Sequence, residues 1–140
     1  MQSGLFSPTE MHVVRNLDFT STGDKGDVCF GRKVEIMRTL VYLNAAPGDT
    51  GTIKLDKRPT YGSDTSRGDG DVAVIELLTT HAAGAVVYDD FATSVTVAAD
   101  EQVVIEASAS AASVSACTVV ILFREIPEVA GNNSVLVAST

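Results

Sequence analysis

The stretch Ser115-Ala116-Cys117-Thr118-Val119-Val120-Ile121-Leu122-Phe123-Arg124-Glu125-Ile126, closed by Pro127, decides the fold. Cys117, Val119, Ile121 and Phe123 recur at a period of two on one face, and Val120 and Leu122 lie on the other. Branched and aromatic side chains pack well on a pleated surface, so the run predicts a strand. Apolar residues on both of its faces predict a central strand covered on both sides. Pro127 cannot donate a ladder hydrogen bond and ends it.

The same period extends backwards along the chain. Gln102 to Ser108 alternates Val103, Ile105 and Ala107 with Val104, Glu106 and Ser108. Ala85 to Phe91 and Thr93 to Val97 read as two more strands, and Asp71 to Thr80 as another, with Ala73, Ile75 and Leu77 on one face. Thr52 to Lys57 places Ile53 and Leu55 inward and Lys54 and Asp56 outward. Val34 to Leu43 alternates imperfectly. Val34 and Ile36 share one face and Met37, Val41 and Leu43 the other, which predicts a bulge at Arg38-Thr39 that swaps the faces. Between these strands lie turns at Ala46-Pro47-Gly48-Asp49 and His81-Ala82-Ala83-Gly84, and a Gly-rich loop from Pro59 to Gly70.

No segment longer than about ten residues sustains a helical period. Roughly seven or eight strands separated by turns predict an all-β fold, an antiparallel two-sheet β-sandwich. A jelly roll is the expected topology, with an immunoglobulin-like sandwich as the alternative. The first residues differ from the rest. Leu5, Phe6, Val13, Val14, Leu17 and Phe19 are scattered without a sustained period, and Gly23 to Asp27 reads as a turn. The expected organisation is an extended N-terminal arm over residues 1–32 with one short strand near His12 to Phe19, a sandwich over 33–127, and a tail over 128–140 with an apolar strip at Val135, Leu136 and Val137.

Charge narrows the function classes. The chain of 140 residues carries 10 Lys and Arg against 18 Asp and Glu, a net charge of −8. Nucleic-acid affinity comes largely from cations on phosphates, so neither DNA nor RNA is an expected partner. The whole excess lies in residues 71–140, where Arg124 stands against nine acids. The basic residues Arg32, Lys33, Lys54, Lys57 and Arg58 sit near the ends of two early strands, which predicts one basic patch on an acidic body. The longest uninterrupted apolar run, Val119 to Phe123, is too short to span a membrane, and Met1 to Pro8 shows no secretory leader pattern. Synthesis in the cytoplasm is therefore expected, and the glycosylation pattern Asn132-Asn133-Ser134 is without consequence there.

Catalytic patterns are sparse. His12 and His81 form no metal-ligating motif, and His81 reads as a solvated or backbone-bonded turn residue. Cys29 and Cys117 have no partner at metal or redox spacing, and Cys117 reads as a buried thiol. No Gly-x-Ser-x-Gly occurs, and Gly62 to Gly70 lacks the Lys-Ser/Thr ending of a phosphate loop. Asp64, Asp69 and Asp71 suggest calcium, but Ser66 and Gly68 break the ligand run, and Arg67-Gly68-Asp69 is a weak adhesion match. The expectation is a protein without enzymatic activity, metal or cofactor.

The run Thr79 to Asp90, the strand Val95-Thr96-Val97-Ala98-Ala99-Asp100-Glu101-Gln102-Val103-Val104-Ile105-Glu106, the long final strand and the closing Gly131-Asn132-Asn133-Ser134 together resemble small jelly-roll structural proteins of tailed bacteriophages, the head decoration or cement proteins. The likeness covers about residues 33–138. It implies a virion protein on the capsid exterior that binds the major capsid protein lattice and itself, as a trimer before a dimer. It also implies an arm reaching neighbouring subunits, here through Leu5, Phe6 and Phe19, and a basic patch facing an acidic shell. The alternative is a carbohydrate- or receptor-binding jelly roll of a phage tail or fibre; the absence of Trp and the presence of only three Tyr weigh against it.

Overall fold

Inward-facing alternation in eight strands builds the core of this protein, whose computed structural model describes residues 7–59, 71–108 and 110–127. The strands are β1 (Glu10–Leu17), β2 (Gly23–Cys29), β3 (Val34–Tyr42), β4 (Gly51–Pro59), β5 (Asp71–Leu77), β6 (Val86–Val97), β7 (Glu101–Ser108) and β8 (Cys117–Glu125). They form two four-stranded antiparallel sheets, ordered β1-β8-β3-β6 and β2-β7-β4-β5. Their inner faces meet in one core, with Val34, Ile36, Val41, Val119 and Ile121 from the first sheet against Ile53, Leu55, Val103 and Ile105 from the second, all fully buried. Each such side chain stabilises the fold by about 1.5–3 kcal/mol relative to exposure. The chain is thus an all-β sandwich, and β8 is central in its sheet as its apolar run predicts.

The pairing has a regular order. β1 pairs with β8, β2 with β7, β3 with β6 and β4 with β5. The chain therefore runs as one long antiparallel ribbon with its tip between β4 and β5. Folding the ribbon over itself adds the pairs β3·β8 and β4·β7 and splits it into two sheets.

Two irregularities set which residues reach the core. The register of β3 shifts against both neighbours between Ile36 and Arg38. This bulge at Met37 lies one residue before the expected place, and it puts Val34 and Ile36 on the same buried face as Thr39, Val41 and Leu43. In β1 the register shifts between Val14 and Leu17, where Asn16 takes φ 59°, a left-handed conformation that Asn tolerates better than most residues. The shift turns Leu17 into the core. At the start of β4, Gly51 packs directly on the β7–β8 loop. A Cβ there would lie 2.4 Å from the Ala112 backbone nitrogen, so no other residue fits without moving the chain.

The first thirty-two residues correct the sequence reading. Glu10–Leu17 and Gly23–Cys29 are strands of the two sheets, and the expected turn at Gly23 to Asp27 is the strand β2. Phe19 is 0 % exposed, and its backbone is clamped by hydrogen bonds from Phe19 N to Val114 O at 2.9 Å and from Ser113 N to Phe19 O at 3.1 Å. Residues 10–29 thus belong to the sandwich. Their pattern is hidden because β1 and β2 are edge strands, where one residue in two need not be apolar and glycine and charge serve to blunt an open edge. The two strands expected over 85–97 are one strand, β6. Leu5, Phe6, Asp64, Asp69, Val135, Leu136 and Val137 lie outside the described residues.

Candidate functional site

The outward face of the β1-β8-β3-β6 sheet is apolar where a solvated sheet face is ordinarily polar. Three cross-strand rows make it. The first runs Met11, Leu122, Arg38 and Asp90; the second runs Val13, Val120, Leu40 and Tyr88. The third runs Thr118, Tyr42 and Val86, and Arg15 joins Val13, Tyr42, Thr118 and Val120 around a shallow depression. Met11 is 65 % exposed, Tyr88 57 % and Tyr42 44 %, with Val13 and Val86 also exposed.

β-strand alternation produces this face. On β8 the core takes Cys117, Val119, Ile121 and Phe123, which leaves Val120 and Leu122 outward. Val120 is buried and Leu122 partly so, each between the row neighbours on β1 and β3. The outer face of β8 is therefore shielded by its own sheet. Among the described residues no third layer of structure covers it. The guanidinium of Arg38 lies 5.2 Å from the ring centroid of Tyr88, a cation–π contact that holds the ring on the surface. Arg124 and Glu35 form an ion pair at the margin.

The basic residues expected to form one patch are dispersed, and Arg32, Lys57 and Arg58 meet carboxylates of the same chain. Arg32 is half-exposed before β3. Its Nη2 donates to both Glu10 oxygens at 3.0 and 3.1 Å, and its Nε is 3.9 Å from Glu125. Lys33 is exposed beside it, in a groove shared with Ala98, Ala99 and Glu125. Lys54 lies on the outward side of β4, opposite Glu106 and Val74 in the register, and is partly buried. Lys57 follows the inward parity of β4 and caps one end of the sandwich, donating to Thr96 O at 3.1 Å and standing 3.9 Å from Glu101.

Arg58 is buried on the outward side of β4. It donates through Nη1 and Nη2 to the Asp24 oxygens at 2.8 and 3.1 Å, and through Nε to Asp56 Oδ2 at 3.2 Å. The Asp24 hydrogen bonds, and then those of Asp56, raise the guanidinium pKa further against the opposing effect of burial, so the group stays charged. Because strand alternation sends Lys54 and Lys57 to opposite sides, these cations present no single surface.

Other candidates are structural in this geometry. His81 Nδ1 accepts from Leu78 N–H at 2.9 Å and His81 N–H donates to Leu78 O at 3.0 Å, a backbone-bonded turn. His12 is exposed, edge-on to Phe30. Cys29 and Cys117 are both free thiols, and burial pushes the Cys117 thiol pKa up. Asp71 opens β5, and the Asp64 and Asp69 considered with it lie outside the described residues. Among the described residues no group of three or more His, Cys, Asp or Glu side chains is placed to share a metal ion.

Neither a scan against protein-family models nor a search of curated proteins finds a match to this sequence. The chemistry of the surface itself is then what bears on function. Sequence reasoning missed Met11, Val13, Tyr42, Val86 and Tyr88 as a group. Their signal was present in the outward parity of four strands, but they become one surface only when β1, β8, β3 and β6 are known to be neighbours.

Proposed function

We propose that this protein is a structural virion component, a decoration or cement protein of a tailed bacteriophage head. In this reading it binds the major capsid protein lattice from the outside and associates with further copies of itself, as a trimer before a dimer. The observation that carries the reading is the apolar outward face of the β1-β8-β3-β6 sheet on a rigid and strongly acidic body. Monomeric proteins seldom expose large contiguous apolar patches, and those they do expose are often functional.

The strand order supports the finer fold assignment. Eight strands paired outermost with outermost and innermost with innermost, then folded into sheets 1-8-3-6 and 2-7-4-5, follow the winding of a jelly roll. The resemblance of residues 33–138 to jelly-roll head proteins points the same way. The net charge of −8 suits an exterior position, since packaged nucleic acid would repel it.

The mechanism is mass action. A protein that binds the assembled lattice and not its free subunits stabilises the assembly in proportion to occupancy. No covalent step, metal or cofactor enters this reading. The test is co-sedimentation of the purified chain with empty, expanded shells of the parent phage, with shell melting followed in parallel. Saturable binding and a raised shell melting point are expected; a chain that stays in the supernatant at high shell concentration overturns the reading. Tyr42 and Tyr88, exposed on one face, favour a second reading, a glycan- or receptor-binding module of a tail or fibre. Saturable binding to host surface polysaccharide with none to shells would select it.

A further inference from the structure

We infer that the outward face of the β1-β8-β3-β6 sheet is the docking surface for the shell, and that its occupant is a protein surface with an apolar spot bracketed by carboxylates. This inference rests on the shell-binding reading above and names the surface and the chemistry of its partner. The composition of the face supports it. Tyr, Met and Arg are enriched and Lys depleted in protein–protein interfaces. The three rows hold Tyr42, Tyr88, Met11 and Arg38 and no Lys, and Arg15 lines the depression beside them.

Charge selects the occupant. Among the described side chains Arg15, Arg38 and Arg124 stand on this face, Arg124 paired with Glu35, which leaves a small positive excess on a chain of net charge −8. A second copy placed face to face would set one arginine-rich margin against another, which disfavours a symmetric self-pair. Size argues likewise. Four strands and three rows span roughly 350 Å² at ordinary strand and residue spacings, whereas a stable pair buries about 800 Å² on each partner. A patch of this size gains residence on an array, where several linked copies engage neighbouring sites.

The experiment uses the full-length chain and empty expanded shells at physiological salt. Val13→Asp and Tyr88→Ser should each weaken shell binding at least tenfold, and Arg15→Glu should slow association. Val74→Asp, at an exposed position on the other sheet, should bind like the native chain. Thermal midpoints of all four variants should stay within a few degrees of native, since the substituted side chains are exposed. Met11 supplies a readout in the unaltered chain: peroxide should oxidise it in the free protein and spare it on shells.

Native-like binding by Val13→Asp and Tyr88→Ser, with Met11 oxidised on shells, would overturn this face while leaving the shell-binding function standing. A native chain that does not bind shells would overturn both. A native oligomer that Val13→Asp dissociates would also overturn the proposal, by making a second copy the occupant.

Discussion

Replacing Arg58 by Met tests whether the charges on the second sheet serve the fold or a partner. The Arg58 side chain is 5 % exposed and that of Asp56 3 %, with Nε to Oδ2 at 3.2 Å; Asp24, the other partner, is 51 % exposed. The Asp24 pair is half in solvent and contributes about 0–1 kcal/mol. The Asp56 term is larger. Removing one partner of a buried pair leaves an uncompensated charge in a poorly solvated site and costs about 3–5 kcal/mol. Met restores much of the apolar stem of Arg, so the loss is mainly electrostatic.

A domain of this size loses roughly 2–8 °C of midpoint per kcal/mol, so Arg58→Met should melt about 10 °C or more below the native chain. The sequence contains no Trp, so urea and thermal unfolding are best followed by far-UV circular dichroism. Adding Asp56→Asn to Arg58→Met should recover part of the loss, because a buried amide is less costly than a buried carboxylate. A loss below about 1 kcal/mol for Arg58→Met, with no recovery in the double variant, would refute the buried-pair argument and return Arg58 to the candidate shell-facing residues.

Phe19→Ala should destabilise the chain by about 3–5 kcal/mol in the same denaturation assay; a loss under about 1 kcal/mol would restore the view that residues near 19 form a detached arm. Thr39 is fully buried and its Oγ1 has no hydrogen-bond partner among the described residues, so Thr39→Val should raise stability by about 1 kcal/mol, and a lowered midpoint would show that the hydroxyl is satisfied. A thiol reagent at neutral pH should label Cys29 in the native chain and reach Cys117 only on unfolding. Because the Cys117 pKa is raised in the folded state, its contribution is fully present below the unfolded thiol pKa and is lost as pH rises through the folded one; a Cys117→Ala variant with an unchanged alkaline stability profile would contradict this. If the shell is acidic, association should accelerate as salt rises from about 10 mM to about 150 mM, since the screening length shrinks from roughly 30 to 8 Å and hides the net charge of −8 while leaving short-range arginine contacts. A monotonic slowing over that range would indicate a free basic patch.

What was legible in the sequence was the period of two in strands with a buried face. β8, β7 and β4 read correctly because Val119, Ile121, Val103, Ile105, Ile53 and Leu55 alternate without interruption, and a one-residue slip would turn each set to solvent. The imperfect run of β3 even announced a bulge, which the structure places at Met37. β1 was legible only as a short strand near His12 to Phe19, and β2 was not legible. In β2, Gly23-Asp24-Lys25-Gly26-Asp27 has the composition of a turn, and its strand conformation is imposed by pairing with β7, a tertiary effect that local propensity does not carry. The basic residues misled for a related reason. Clustering in sequence says little about clustering in space when alternation sends Lys54 and Lys57 to opposite faces and when carboxylates distant in sequence, Asp24 for Arg58 and Glu10 for Arg32, neutralise them.

The two outward faces differ in a way that bears on orientation. On the β2-β7-β4-β5 sheet the charges are drawn inward. Asp56, Arg58 and Glu106 are all buried although they follow the outward parity of their strands, and Arg58 ties β4 to β2 through Asp24. Charges engaged with one another are costly to strip of their partners, so such a face resists a new protein contact at its centre. On the β1-β8-β3-β6 sheet the centre is Val120 and Leu40, with Met11, Val13 and the two tyrosines around it, and the charges, Arg15, Arg38 and the Arg124–Glu35 pair, lie around this centre and not within it. The desolvation cost of docking is therefore lower on this sheet and the apolar gain higher. A partner free to choose between the two faces would take this one, with β2-β7-β4-β5 left toward solvent or sister copies.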